Sequence, residues 1–458
     1  MLLAAGLRFW ALGTPDRLLF DENFYARDAC LFVNPPAVCE QQQAFTQEHP
    51  VGAKWLIAAG IEAFGYEPFG WRFASALAGT AGVGIVFLLG RRILASTWAG
   101  TLAGLLLAID FLHFELSRLA MLDIFVATFG AAAVLFAVLD RDRHGPLGSE
   151  ARRGRLRDRP WLLAAGAALG AAVASKWSGA LFVPAVGAAV IAWDATREGT
   201  SDRVRAVRRV IGREWVVLAV ALVAIPLAIY VVSFGDRLDG TLLAVPWDRD
   251  SWWWDLARRQ VVMVREHLAI KAEHGYASPA WSWPLVKRPV NIAWEDGDGV
   301  TRHILGFGNP LAWWPAVLAV GWIAIRWLRG RRGHPNPEGV ILLGITGSFL
   351  PWLLLSNVRS FTFLFYLLPA VPFMCLALAW ALQRLATSVI GRAAAAGAVA
   401  TVLATLVFFF PILTARPLSD EAWLMRIWFR SCPNALVEDG VPRPSFEPYP
   451  PPAGWCWI

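Results

Sequence analysis

The sequence predicts an all-α polytopic membrane protein of about eleven helices, with its chemistry gathered at one face of the bilayer. Three observations carry that prediction. Apolar runs recur at the length a crossing demands; arginines crowd into alternate connections; the other connections are rich in Trp, Pro and acidic residues. Composition agrees. Of 458 residues, 57% are hydrophobic and only 17% charged, with a mean hydropathy of +0.47, whereas a soluble globule carries about 25% charged residues. The 25 Trp and 27 Phe exclude disorder, which goes with few aromatics. A net charge of +7 does not imply nucleic-acid binding here, because the basic residues lie in short runs between apolar segments. No nucleic-acid partner is expected.

The crossings are read, in order, at 72–90, 97–113, 119–139, 161–176, 178–193, 215–234, 311–328, 338–355, 361–382 and 393–414. Each approaches the ~20 residues that span about 30 Å of hydrocarbon. Residues 1–13 are an eleventh apolar stretch, but at 1.5 Å per residue they reach only about 20 Å. They read as an incomplete first helix. A cleaved signal peptide is the competing reading, disfavoured by the lack of a basic leader and of a small-residue cleavage site. The loops holding Arg91 and Arg92, the run Arg141 to Arg159, the run Arg197 to Arg213, Arg329 to Arg332, and Arg384 with Arg392 contribute 20 of the 42 basic residues. By the positive-inside rule that side is cytoplasmic. Facing outward are 14–70, 114–118, 235–310, 356–360 and 415–458. The domain reading is therefore a transmembrane domain, 1–414, with outer loops 14–70 and 235–310, followed by an extracytoplasmic tail, 415–458. No internal repeat is evident. Two cysteine pairs on the oxidising side suggest disulfides Cys30–Cys39 and Cys432–Cys456; Cys375, within a helix, reads as packing.

The first outer loop holds Phe20-Asp21-Glu22 directly after the first apolar stretch. Ionisable groups at the hydrocarbon boundary are costly and usually functional. A partly desolvated carboxylate there suits a general base toward a hydroxyl; the alternative is an acidic helix N-terminus favoured by the dipole. His49-Pro50 and Lys54 follow. Ser117-Arg118 leads to Asp123, one turn into the next helix. Lys176 and Arg359 stand at outer helix ends. Arg118, Lys176 and Arg359 are thus cations at the depth of a lipid phosphate, which Arg would grip as a fork and Lys as a point charge. Taken singly, each also reads as a snorkelling anchor.

The second outer loop runs His274-Gly275-Tyr276-Ala277-Ser278-Pro279-Ala280-Trp281-Ser282-Trp283-Pro284. His274, Tyr276, Trp281 and Trp283 fit either an interfacial aromatic belt or a surface for sugar or extended peptide. Both readings stay open.

The combination resembles the bacterial, especially actinobacterial, protein O-mannosyltransferases. The resemblance rests on Phe20-Asp21-Glu22, His49-Pro50 to Lys54, Gly70-Trp71-Arg72-Phe73, Ser117-Arg118 to Asp123 and Ser175-Lys176-Trp177. It continues in His274 to Pro284, Gly308-Asn309-Pro310 and Arg359 to Pro369. It implies a family-C glycosyltransferase fold that moves mannose from a polyprenyl-phosphate donor to Ser or Thr of secreted proteins at the plasma membrane. It also implies an extracytoplasmic active site in which Asp21 and Glu22 are the acidic pair, while Arg118 and Lys176 contact phosphate. His49 and Asp123 complete the expected substrate-binding set. Membrane lipids, secreted substrates and the secretion translocon are the expected partners. The chain departs from the family pattern at Val51, where a second proline is common, and at Phe365-Tyr366-Leu367, where many members have Tyr-His-Tyr. The loop 235–310 is too short for the β-trefoil of eukaryotic members.

The expected reaction is one in-line displacement inverting the anomeric carbon, with Asp21 as base and Glu22 orienting the acceptor. No cofactor is expected, the lipid-linked sugar being a substrate, and no Cys/His cluster calls for a metal. The rivals are a lipid-directed aminosugar transferase of the same fold and a transporter. A transporter would place charges mid-membrane on interrupted helices, whereas these gather at the outer boundary.

Overall fold

A computed structural model describes residues 1–33, 48–143, 155–198, 200–235, 252–269, 274–330, 336–356, 361–430, 432, 436–438, 440–444 and 452–458. The chain is a multi-pass bundle. Its early helices are α1 (Leu2–Phe9), α2 (Glu22–Cys30), α3 (Gly52–Phe64), α4 (Pro68–Ile93), α5 (Thr97–Ala108), α6 (Phe111–Leu116), α7 (Asp123–Arg143) and α8 (Pro160–Ser175). Then follow α9 (Trp177–Ala195), α10 (Arg203–Ser233) and α11 (Trp252–Ala269). After a hairpin of β1 (Val290–Gly297) and β2 (Val300–Gly306) come α12 (Pro310–Leu328), α13 (Pro337–Leu355), α14 (Leu364–Leu385), α15 (Val389–Leu413) and the short strand β3 (Leu418–Ser419).

Among the described residues, eight helices are long and apolar enough to cross a membrane, while α5 and α8 are shorter apolar helices. The eleven crossings read from sequence are therefore matched by eight of full length. The stretch read as 97–113 is broken. Helix α5 ends at Ala108, and Asp110 caps α6 by accepting from His113 N at 2.9 Å. Local chemistry sets most other boundaries. Ser96, Asp202, Asn309, Asn336 and Ser388 each cap a helix N-terminus with a side-chain oxygen, satisfying amides that have no intrahelical partner. Pro68, Pro160, Pro310 and Pro337 sit in first turns, where no amide is lost. Helix α10 loosens into a π turn at Val220–Ala224 just before Pro226, as the i−4 bond fails there.

Helix α14 is buried along its length and α7 nearly so, whereas α9, α10, α12 and α15 leave most of their apolar surface outward. The first two form the core and the others face lipid, as all-round apolar helices in a membrane must divide. Small residues allow close approach: a Cβ on Gly100 of α5 would lie 2.6 Å from Arg91 N of α4. At the arginine-rich end, Arg159 binds Asp140 and Asp194 and also contacts Glu214, tying four segments together in one buried ion cluster.

The all-α expectation holds for the bundle but not for the segment above it. There β1 and β2 pair antiparallel, and β3 adds to β2 through Val300 and Thr301. Asp298 and Gly299 close the hairpin with φ of 54° and 71°, the mirror-image turn that matches strand twist. From the tail, Trp423 packs on this sheet, its ring 5.0 Å from Trp294 and its indole donating to His303 Nδ1 at 3.1 Å, and Trp457 and Ile458 are buried. Cys432–Cys456 is a disulfide, and Cys375 is a buried free thiol. Cys30 is disulfide-bonded; its expected partner Cys39 lies outside the described residues.

Candidate active site

Helix termini converge at the end of the bundle opposite the arginine clusters. Asp21 is the N-cap residue of α2, partly exposed, with Tyr25 donating to Oδ2 at 3.3 Å one turn on. Burial pushes the Asp21 carboxyl up to about 6. The nearby Lys176 charge opposes that rise, Asp123 adds to it, Tyr25 opposes it and Glu48 adds to it. A base with that affinity for protons is matched to work near neutral pH. Phe20, just before it, is held at φ 48°, a conformation an aromatic residue adopts only under constraint.

Glu22 supplies the constraint. Its Oε1 accepts from Arg72 Nε and Ala120 N, its Oε2 from Arg72 Nη2 and Leu19 N, all at 2.9 Å. Arg72 spends its remaining donors on the carbonyls of Leu12, Pro15 and Arg17. Both side chains are buried. The neighbour of Asp21 is thus saturated inside the protein. Its geometry braces the Phe20–Asp21 corner and leaves no oxygen for a substrate, in place of the catalytic or acceptor-orienting role read from sequence.

Lys176 ends α8 in extended backbone, where a helix C-terminus favours a cation. Its Nζ bonds Asp123 Oδ1 and Oδ2 at 2.9 Å each. It also sits 4.6 Å from the centre of the Tyr366 ring. Asp123 opens α7, where the dipole favours an acid. An ammonium has three donors, and among the described residues two of them go to Asp123. Beside it lies a cavity of about 210 Å³ bordered by Lys176, Trp177, Ser178, His49, His267 and Trp352. The His49 ring lies 5.5 Å from His267 and 5.9 Å from Tyr25. One cation, two imidazoles and aromatic walls at the bundle's end suit a phosphate carrying an apolar tail.

Arg118 is not there. Its guanidinium donates to the carbonyls of Leu7, Arg8, Trp10 and Ala11 at 2.5 to 3.2 Å. It closes the open C-terminal carbonyls of α1, where cations are favoured, and it is not among the residues that border the Lys176 cavity. Arg359 lies outside the described residues. Of the second-loop residues, Trp283 is buried, donating to Ser278 O at 3.0 Å and packing 6.1 Å from Tyr366. Tyr276 is buried beneath Arg288. Trp281 is 55% exposed with Lys287 Nζ 5.2 Å from its ring. His274 packs 4.8 Å from Phe363, which stacks on Phe365 at 5.4 Å, and Phe365 meets Phe20 at 5.8 Å. This aromatic chain joins the second loop to the Asp21 corner.

Sequence reasoning missed His267, Arg259 and the role of Arg72. His267 and Arg259 come from α11, whose inward stripe is Asp255, Arg259 and Met263. Trp254, Val261, Val264 and Leu268 are exposed on its other side, as in a helix lying in a membrane interface. That four-residue spacing was visible within the loop. Close by, the buried pair Lys54–Asp28 at 2.6 Å ties α3 to α2, so Lys54 also serves the scaffold.

Comparison with solved structures gives the class first. The chain superposes on the S. cerevisiae protein O-mannosyltransferase Pmt1–Pmt2 complex bound to the sugar donor with a TM-score of 0.73, at 16% identity, covering 94% of this chain and 91% of that one. ArnT from Cupriavidus metallidurans matches at a TM-score of 0.52 and 18% identity, over 84% of this chain and 59% of that one. The fold is that of the family-C glycosyltransferases. A family profile described as dolichyl-phosphate-mannose-protein mannosyltransferase matches residues 1–235, and one for the C-terminal four-helix region of protein O-mannosyltransferases matches 252–432. The polyprenol-phosphate-mannose–protein mannosyltransferase of Mycolicibacterium smegmatis is 30% identical over 94% of this chain and 91% of its own length. The chain belongs to the dolichyl-phosphate-mannose–protein mannosyltransferase family.

Proposed function

We propose that the protein transfers mannose from polyprenyl-phosphate mannose to Ser and Thr hydroxyls of exported proteins, at the extracytoplasmic face of the plasma membrane. The observation that carries this reading is the pairing of a partly exposed, proton-avid Asp21 with Lys176 beside the aromatic-walled cavity. Asp21 takes the hydroxyl proton as the acceptor oxygen attacks the anomeric carbon. The new C–O bond forms as the bond to phosphate oxygen breaks, and the leaving phosphate takes that electron pair. A β-linked donor gives an α-linked product in one inversion. The leaving group departs as an anion and needs no acid, unlike the alcohol of a glycoside, so the reading invokes no cofactor. Lys176 steadies the negative charge that develops on the phosphate, while His49 and His267 border the same cavity. Delivery of unfolded acceptor by the secretion translocon fits a hydroxyl that must reach Asp21 from outside the membrane.

Lys176→Met is expected to weaken donor affinity about 10–100-fold, the loss of one charge-assisted contact of about 1.5–3 kcal/mol. Titration of the donor on folded variant checks it; unchanged affinity would remove Lys176 from the phosphate site. On the acceptor side, Trp281 is exposed and the half-buried His274 abuts the aromatic chain that leads to the Asp21 corner. Trp281→Ala should raise the peptide KM about 2–10-fold, an aromatic contact of about 0.5–1.5 kcal/mol, with the donor KM unmoved. Equal effects on both substrates would return Trp281 to an interfacial belt.

The experiment for the function itself is incubation of purified protein with labelled polyprenyl-phosphate mannose and either a Ser/Thr peptide or a glycolipid acceptor. Label on the peptide supports the reading. Label on the glycolipid alone would establish the lipid-directed alternative.

A further inference from the structure

The last described residues of the tail lie against the segment leading into β1, and every residue of 285–288 meets them. The Trp455 and Trp457 indoles donate to the carbonyls of Leu285 and Val286 at 3.3 and 2.9 Å, and Cys456 N donates to Lys287 O at 3.1 Å. Arg288 answers from the other side. Its Nη1 donates to the carbonyls of Cys456 at 3.1 Å and Ile458 at 2.7 Å, and lies 2.7 Å from Cys456 Sγ. The Cys432–Cys456 disulfide pins this segment in turn. The same buried guanidinium reaches back into the second loop: Nε donates to Gly275 O at 2.8 Å, and its plane lies 4.5 Å from the Tyr276 ring centre. Gly275 and Tyr276 directly follow His274, which abuts the Phe363–Phe365 stack leading to Phe20 and Asp21.

We propose that Arg288 is a positioning residue for the acceptor, transmitting the placement of the disulfide-anchored tail to the His274–Tyr276 turn. This rests on the reading that the second loop receives the acceptor. A planar fork with five donors can bind two tail carbonyls, bind Gly275 and stack on Tyr276 at once; an ammonium cannot. A buried guanidinium in this role sets where His274 stands rather than touching substrate. The tail therefore belongs to the acceptor side of the enzyme, and the donor cavity beside Lys176 lies apart from it.

The test uses the full chain in nanodiscs, with KM measured separately for peptide and for polyprenyl-phosphate mannose, and thermal unfolding recorded for each variant. Arg288→Ala is expected to raise the peptide KM about tenfold with the donor KM unchanged, and Arg288→Lys to recover only part of it. The double substitution of Cys432 and Cys456 by Ser should raise the peptide KM as well. Adding Arg288→Ala to it should have less than the additive effect, as expected of residues acting through one contact. His274→Ala tests the reading beneath. If His274→Ala raises the peptide KM and folded Arg288→Ala does not, the proposal falls while the reading stands. If His274→Ala leaves the peptide KM unchanged, the acceptor reading falls. Should Arg288→Ala fail to fold, the cysteine variant and Arg288→Lys decide by the same split. A loss of active fraction without any KM change would make the tail a stabilising strap only and overturn the proposal.

Discussion

Asp21→Asn is expected to lower kcat by about 10²–10⁴-fold, the range general-base catalysis supplies, with the donor KM nearly unchanged. The amide keeps the size and the N-cap position of the carboxylate and loses only its basicity. The pH profile carries the same claim. Burial raises the Asp21 carboxyl to about 6, with Asp123 and Glu48 adding to the rise against Lys176 and Tyr25. Below that value the carboxyl is protonated and cannot take a proton, so kcat/KM should climb as pH rises through about 6 and then level. Because the Lys176 charge holds Asp21 down, Lys176→Met should shift the rising limb to higher pH. A flat profile between pH 5 and 8 in an enzyme limited by chemistry would remove Asp21 as the base.

The second large effect is expected at the brace behind it. Glu22 and Arg72 are buried and bound bidentately, and every donor of Arg72 is used. Removing one partner strands a buried charge, which costs about 3–5 kcal/mol. Arg72→Ala should therefore lower thermal stability in detergent strongly. Arg72→Lys should rescue little, since one ammonium cannot hold a carboxylate fork and three carbonyls together. Activity should be lost with the fold's corner at Phe20–Asp21 rather than through either substrate's affinity. Arg72→Lys with wild-type stability and turnover would contradict that role.

These two residues show how far the sequence was legible. Asp21 and Glu22 are adjacent and chemically alike, and the sequence marked both as catalytic. Successive helical positions point about 100° apart, so one carboxylate meets the site and its neighbour meets Arg72 in the core. Only the partner distinguishes them, and it lies 50 residues away. Arg72 stood within Gly70-Trp71-Arg72-Phe73, an arginine near the start of an apolar helix that needed a buried acid; that was the available signal. Arg118 and Lys176 share depth and charge, so the membrane pattern read both as phosphate contacts. Yet Arg118 answers the carbonyls at the end of α1, a need that hydropathy does not show. Periodicity found the spans because lipid demands them. It passed over the hairpin above the bundle, although Asp298-Gly299 between two β-rich runs is a turn with a physical cause. It also passed over α11, whose narrow inward stripe sits in a loop dominated by tryptophans.

The central claim is that Asp21 drives a single displacement from lipid-linked mannose onto a protein hydroxyl. The most direct measurement is NMR of the product formed by the purified enzyme from β-linked polyprenyl-phosphate mannose and a Ser/Thr peptide, read for the attachment atom and the anomeric configuration. The account predicts mannose α-linked to the Ser or Thr oxygen, and no such product with the Asp21→Asn enzyme. A β-linked product, or an α-linked product formed equally well by Asp21→Asn, would contradict it.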